Sequence, residues 1–317
     1  VPTKGFFTQT LAILLKNPAS VDEMEALLQG FRIIRRVEAA HIWSMAGAGV
    51  QLSYRPEVNG CVVVDLIDRP WPDHMGHPQD DPEVFVSWAT GNFGPGAWAG
   101  ALERACQHSW GWPDGRTVPK QHQAFVRVRS SYVFGLGDGP IIPDDYDAVH
   151  EISFLTAVVA ELLRLPQALC YFNPNGECVK EPGRFWSLLD DHARAGRLPL
   201  DVWSNVRFFR IDGASPMWSL MDTVGMGQLD ASDHEACFQF DAYEPGEVDN
   251  FLRNLSAYVV ENGPVIESGD TIDGPGDVAW RAFVVGQSDL QPPRDIIRWF
   301  PVDGRETPEE LLKPIEG

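Results

Sequence analysis

The chain has 317 residues, 44% of them hydrophobic, with 11 Trp and 17 Phe, which excludes a disordered protein and suits one large domain or two subdomains. Its formal charge of −20 disfavours binding to nucleic acid through phosphates, and no nucleic-acid partner is expected. No apolar run approaches the roughly 18 residues of a membrane span, so no membrane association is expected.

Phe6–Leu15 reads as a first strand, rich in Phe, Leu, Ile and Thr. The segment Val1–Asn17 has neither a charged leader nor a small-residue cleavage site, so no signal peptide is expected. Ser20-Val21-Asp22-Glu23 is a capping box that starts a helix, and Gly30 ends it before a second strand, Phe31–Val37. Val50–Tyr54 and Cys61–Ile67 are expected to pair as a hairpin. Asp68–Pro82 is proline-rich loop. Val84–Trp88 reads as a strand, and Ala97–His108 as a short helix that buries Trp98, Leu102 and Cys106. Phe125–Phe134 alternates Val126 and Val128 with Arg127 and Arg129, the pattern of a half-exposed strand. Gly135, Gly137 and Gly139 then form a flexible joint.

Pro143–Val179 is the best-specified stretch. Pro143 and the Asp144/Asp145 pair open a helix, and Val149, Ile152, Leu155, Val159 and Leu162 recur at helical spacing. Leu165-Pro166 stops it, because proline disfavours helical geometry in the residue before it. A strand, Ala168–Phe172, and a turn at Asn173–Gly176 follow. Further on, Glu181–Gly196 reads as a helix, Val206–Ile211 as a strand, Trp218–Gly227 as a short helix and Ala236–Phe240 as a strand. Pro245 opens a strong helix whose stripe is Val248, Phe251, Leu252, Leu255 and Val259. Val265-Ile266, Trp280–Val285 and Ile296–Phe300 are read as strands, and Thr307–Glu310 as the cap of a terminal helix.

Strands and helices mix without regular alternation, so the expected fold is α+β, with mixed or antiparallel sheets flanked by helices. The strand–helix–strand runs Phe6–Val37 and Ala236–Glu267 are alike in order and length, which suggests two similar αβ subdomains. Charge suggests where to divide them. Residues 1–133 hold 13 acids and 12 bases, whereas residues 134–317 hold 32 acids and 13 bases. The expected subdomains are therefore 1–133, near neutral, and 134–317, strongly acidic.

Cys61, Cys106, Cys170, Cys178 and Cys237 are odd in number and lack C-x-x-C pairing, so buried free thiols in a reducing compartment are expected, with a cytoplasmic location. Gly135–Gly139 lacks the lysine and spacing of a phosphate loop, and no serine sits in a G-x-S-x-G elbow. His74 and His77, with Asp73, Asp80 and Asp81, offer metal donors, but on a Pro/Gly loop. Glu38/His41 and Asp233-His234-Glu235 read as partly exposed histidines beside carboxylates, and His150-Glu151 as a helix-surface pair. No metal or cofactor is expected. With 45 acids, carboxylate pairing alone carries no catalytic meaning.

The stretches Ile152–Phe172, Leu220–Phe238 and Leu252–Gly274 resemble a bacterial family of unknown function whose members are similar to the cognate immunity proteins of secreted antibacterial toxins. The resemblance implies a non-catalytic cytoplasmic protein that neutralises a toxin, such as a nuclease-like type VI secretion effector, by stoichiometric binding. It supplies no matched site residues. Exposure and charge point instead to Asp138, Asp144, Asp145 and Asp147, four acids within ten positions before a well-anchored helix, as the partner-binding set. The alternative is a hydrolase or metal-dependent enzyme built on one of the His/Asp clusters.

Overall fold

The computed structural model describes residues 3–39, 45–211 and 216–307. Among them the chain forms seven α-helices and thirteen strands in two mostly antiparallel sheets, an α+β fold. It divides into two compact units, Thr3–Val202 and a second beginning at Trp203.

In the first unit the strands are β1 (Gln9–Leu15), β2 (Ile33–Val37), β3 (Ala48–Ser53), β4 (Cys61–Ile67), β5 (Ala124–Ser131), β6 (Ala168–Asn173) and β7 (Cys178–Lys180). They form one sheet in the order β2-β3-β4-β5-β1-β6-β7, every pair antiparallel. The expected boundary at 133/134 falls inside this unit, because β1 pairs with β5 on one side and with β6 on the other. Two ladders on one central strand hold the segments before and after residue 133 in a single sheet.

Helix α1 (Val21–Leu27) has the expected capping box: Ser20 Oγ accepts from Glu23 N, and the Glu23 carboxylate accepts from Ser20 N. Helix α4 (Ala148–Leu162) packs along β1 and β5 and buries Ile152, Leu155, Val159 and Leu162. It begins at Ala148 and not at Pro143, with Asp147 as its N-cap. The other sheet face, bearing Ala12, Leu14 and Phe125, is covered by α2 (Pro82–Ala89), α3 (Ala101–Gln107) and Trp71. Two expectations fail here. Val84–Trp88 belongs to helix α2: Val84, Ser87 and Trp88 are buried at helical spacing, and Pro82 stands at the first turn, where its missing N–H costs nothing. Trp98, expected inward, is exposed.

In the second unit the strands are β8 (Asn205–Ile211), β9 (Trp218–Val224), β10 (Asp233–Gln239), β11 (Thr271–Gly274), β12 (Val278–Val285) and β13 (Ile296–Pro301). Their order is β11-β12-β13-β10-β9-β8, and β10 with β13 is the one parallel pairing among them. Helices α5 (Pro182–Ala195) and α6 (Leu200–Trp203) precede β8, and α7 (Pro245–Asn262) lays Val248, Phe251, Leu252 and Leu255 against Met221, Ala236, Phe238, Trp280 and Trp299. The stretch expected as a helix at Trp218–Gly227 is strand β9, with all seven residues buried. The edge strand after α7 is Thr271–Gly274, not Val265-Ile266. The expected terminal helix, capped at Thr307–Glu310, lies outside the described residues from position 308 onward.

Each unit follows one path. A central strand leads into a helix, the chain jumps to an edge strand, and two further strands step back toward the centre. In the first unit this is β1-α1-β2-β3-β4, and in the second β10-α7-β11-β12-β13. β13 lies directly against β10, whereas in the first unit β5 is inserted between β4 and β1.

Candidate functional site

The loop between β5 and α4 carries all four candidate acids, and it is held from below at several points. Ser131 Oγ accepts from the amides of Val133 and Phe134 and turns the chain out of β5. Asn59, at φ 62°, then acts as a peg. Its Nδ2 donates to Tyr132 O at 2.7 Å and its Oδ1 accepts from Gly137 N at 2.8 Å. A Cβ on Gly135 would sit 2.1 Å from Asn59 Oδ1, and one on Gly139 2.9 Å from Asn59 Cβ. Gly135 and Gly139 therefore permit close packing on Asn59, and Gly137 donates its amide to it, in place of the flexible joint that their spacing suggested.

Farther along, Arg55 donates to Asp145 O at 3.1 Å and to Asp145 Oδ2 at 2.5 Å. Tyr146 OH donates to Glu151 Oε2 at 2.8 Å, and Lys4 Nζ stands 4.2 Å from the Tyr146 ring centroid. Asp147 Oδ1 accepts from His150 N at 2.9 Å and caps α4. The four acids thus separate. All four side chains are exposed, and Asp145 and Asp147 in addition hold the loop and the helix in place. They are accompanied by exposed apolar side chains: Leu136 is 72% exposed and Ile141 50%, and Ile142, Phe134 and Phe6 are also exposed. The Phe134 ring is backed by Phe7 at 5.3 Å. The arrangement suits docking of a protein surface, with apolar contact and negative charge side by side on a fixed backbone.

Glu151 is fully buried under this loop, contrary to the helix-surface expectation. Thr8 Oγ1 and Tyr146 OH both donate to it, and burial raises its pKa above the ordinary carboxylate range. His150 is exposed and its Nδ1 lies 2.8 Å from Tyr54 OH.

β5 is wholly buried, not half-exposed. Arg127 lies opposite Asp65 of β4 and grips its carboxylate through Nε at 3.2 Å and Nη2 at 2.6 Å, while Arg129 Nη2 reaches Asp65 Oδ1 at 3.2 Å. Burial pushes the Asp65 carboxyl up, but the two guanidiniums outweigh it and hold the pKa below the usual range.

In the second unit, Asp233-His234-Glu235 is buried, not exposed. Strand alternation sends His234 to the α7 side, where its Nδ1 accepts from Trp299 Nε1 at 3.2 Å and burial lowers its pKa to about 3. The opposite face carries a row of charges on neighbouring strands: Arg207, Asp222, Glu235 and Arg298. The β12–β13 connection covers that row. Ser288 Oγ donates to Glu235 at 2.6 Å, Arg294 Nη2 to Asp222 at 2.5 Å, and Arg207 Nη1 to Gln291 O at 2.7 Å. Arg298 bridges Glu235 at 2.7 Å and Asp289 at 3.1 Å. Burial lifts Asp233 to about 6 against the pull of Arg294.

His74 and His77 lie on an exposed loop, with His77 Nδ1 3.2 Å from Asp80. Among the described residues no three His, Cys, Asp or Glu side chains are grouped to hold a metal. His41 lies outside the described residues. All five cysteines are buried and free, as expected. No described helix is long and apolar enough to cross a membrane. Residues 222–300 match the model of a domain of unknown function, DUF4261. The match runs from Asp222 to Phe300, so it includes most of the buried charge row and the connection that covers it. No curated protein and no solved structure matches the chain.

Sequence reasoning missed Asn59, Arg55 and Glu151. The Asn59-Gly60 dipeptide and the every-second-residue glycines at 135–139 were the available signals, but neither says that the two segments meet.

Proposed function

We propose that this protein is a non-catalytic cytoplasmic immunity protein that neutralises a basic, nuclease-like type VI secretion effector by binding it through the β5–α4 loop. The observation that carries the reading is the exposed set Leu136, Asp138, Ile141, Ile142 and Asp144 on a backbone pinned by Asn59 and Arg55. A pinned loop loses little conformational freedom on binding, so more of the contact energy appears as affinity. The excess of 20 negative charges adds steering toward a basic groove of the kind that holds nucleic acid.

The test is co-expression with the product of the neighbouring reading frame. The expected result is that this product is toxic alone, that the present protein suppresses the toxicity, and that the two purify as a stoichiometric complex. A neighbouring product that is harmless by itself, or a toxicity that this protein leaves untouched, overturns the reading.

A further inference from the structure

The two units handle their buried arginines differently. In the second, Arg207, Arg294 and Arg298 face Asp222, Asp233, Glu235 and Asp289, so carboxylates at least match guanidiniums. In the first, Arg127 and Arg129 share the single carboxylate of Asp65. Among the described residues the remaining partners of the two side chains are neutral: Met45 O accepts from Arg127 Nη2 at 2.8 Å, and Asn92 Oδ1 accepts from Arg129 Nη1 at 2.5 Å. Both arginine side chains are at most 5% exposed. The cluster therefore buries one positive charge more than it neutralises, which costs several kcal/mol if nothing compensates it.

Three polar atoms there lack a hydrogen-bond partner among the described residues: Arg127 Nη1, Arg129 Nε and Thr10 Oγ1. Thr10 stands directly opposite Arg129 across the β1–β5 ladder. The flat faces of the guanidiniums meet aromatic rings, with Arg129 Cζ 4.0 Å from the Phe7 centroid and Arg127 Cζ 5.7 Å from that of Phe93. What remains unpartnered is N–H and O–H donors beside an uncompensated charge. Water satisfies donors but leaves the charge; an anion answers both.

We propose that the Arg127–Arg129 cluster holds a small monovalent inorganic anion, of chloride's size, inside the first unit. Burial, and then the neighbouring Arg127, press the Arg129 pKa down to about 9, in keeping with a guanidinium short of negative charge in the absence of such an ion.

Melting temperature measured at constant ionic strength, with chloride replacing gluconate, tests this. Binding to the folded state alone predicts a rise that saturates with chloride, of about 2–6 °C. Asn92→Asp places a carboxylate beside Arg129 and is expected to abolish the chloride dependence while melting no lower than the original protein in gluconate. Crystals grown in bromide are expected to show an anomalous peak within hydrogen-bond distance of Arg129 Nε, Thr10 Oγ1 or Arg127 Nη1. Equal melting in chloride and gluconate overturns the proposal, as does a chloride effect undiminished in Asn92→Asp. Should that variant fail to fold, the bromide crystal decides alone: a peak at the cluster supports the site and its absence removes it.

Discussion

Arg207 stands directly opposite Asp222 on β8 and β9 and holds its carboxylate through Nε at 3.0 Å and Nη2 at 2.5 Å, as Arg127 holds Asp65 on β5 and β4. Both pairs are buried on the sheet face away from the long amphipathic helix. Burial pushes the Asp222 carboxyl up, yet Arg207 and Arg294 together outweigh it and keep the pKa below the usual range. A pair of this kind adds little net stability over an apolar replacement, but it penalises any register that separates the partners. It therefore serves to specify strand pairing.

Breaking the pair should be far worse than removing it. Asp222→Ala leaves Arg207 and Arg294 facing an uncompensated space and is expected to cost about 3–5 kcal/mol. The double variant Arg207→Met/Asp222→Leu should recover part of that loss. Denaturant melts of the single and double variants check this; a double variant as unstable as the sum of its singles would show the charges to be contributing independently.

The helix stripes carry the apolar core. Leu155 on α4 and Leu252 on α7 are both fully buried, so Leu155→Ala and Leu252→Ala should each leave a cavity and cost about 2–5 kcal/mol. Thermal melts decide, and an unshifted transition for either variant would mean that its helix closes the cavity by moving.

His234 gives a pH signature. Its folded-state pKa lies near 3, below the ordinary value of about 6.5, so acidification protonates the unfolded chain first. The stability it contributes is complete above about pH 6.5 and is lost as pH falls toward 3. Asp233 acts in the opposite direction: lifted to about 6, it disfavours the folded state above that pH and ceases to do so near 4. The difference between wild type and His234→Asn isolates the histidine, since Asn can still accept from Trp299. The destabilisation by this variant should be largest near pH 7 and shrink toward pH 4. A pH-independent difference would mean that His234 titrates in the folded protein as it does in the unfolded chain.

What could be read from sequence was what is local. The Ser20/Glu23 box and the stripes of α4 and α7 each lie within a few turns of chain, and each is where periodicity placed it. Strand β9 departs from the helix expected over Trp218–Gly227, because its buried carboxylate, Asp222, is satisfied by partners distant in the chain. Those partners, Arg207 and Arg294, lie 15 and 72 positions away. The arginines of β5 misled for the same reason: alternation of Val with Arg normally marks a solvent face, and here Asp65 makes burial possible from 62 positions away. At the candidate site the acids were visible as a cluster, but their division of labour depends on Arg55, 90 positions before Asp145.

That division yields the last prediction. Asp138 and Asp144 are exposed acids of the loop, whereas Asp145 is paired with Arg55 and Asp147 caps α4. Asp138→Asn/Asp144→Asn should therefore leave the melting temperature unchanged, lower the association rate with the effector and weaken its salt dependence, because steering charge is lost without loss of contacts. Asp147→Ala should behave in the reverse way, with about 1 kcal/mol of stability lost with the cap and a charge effect no larger than one site contributes. Leu136→Ala should act on the dissociation rate instead, since an exposed apolar side chain steers nothing and contributes only once seated. Stopped-flow association at low and high salt, with dissociation followed after dilution, separates these effects. An association rate at low salt that is the same with and without Asp138 and Asp144 would remove the loop from the encounter, and an unchanged dissociation rate in Leu136→Ala would remove it from the interface.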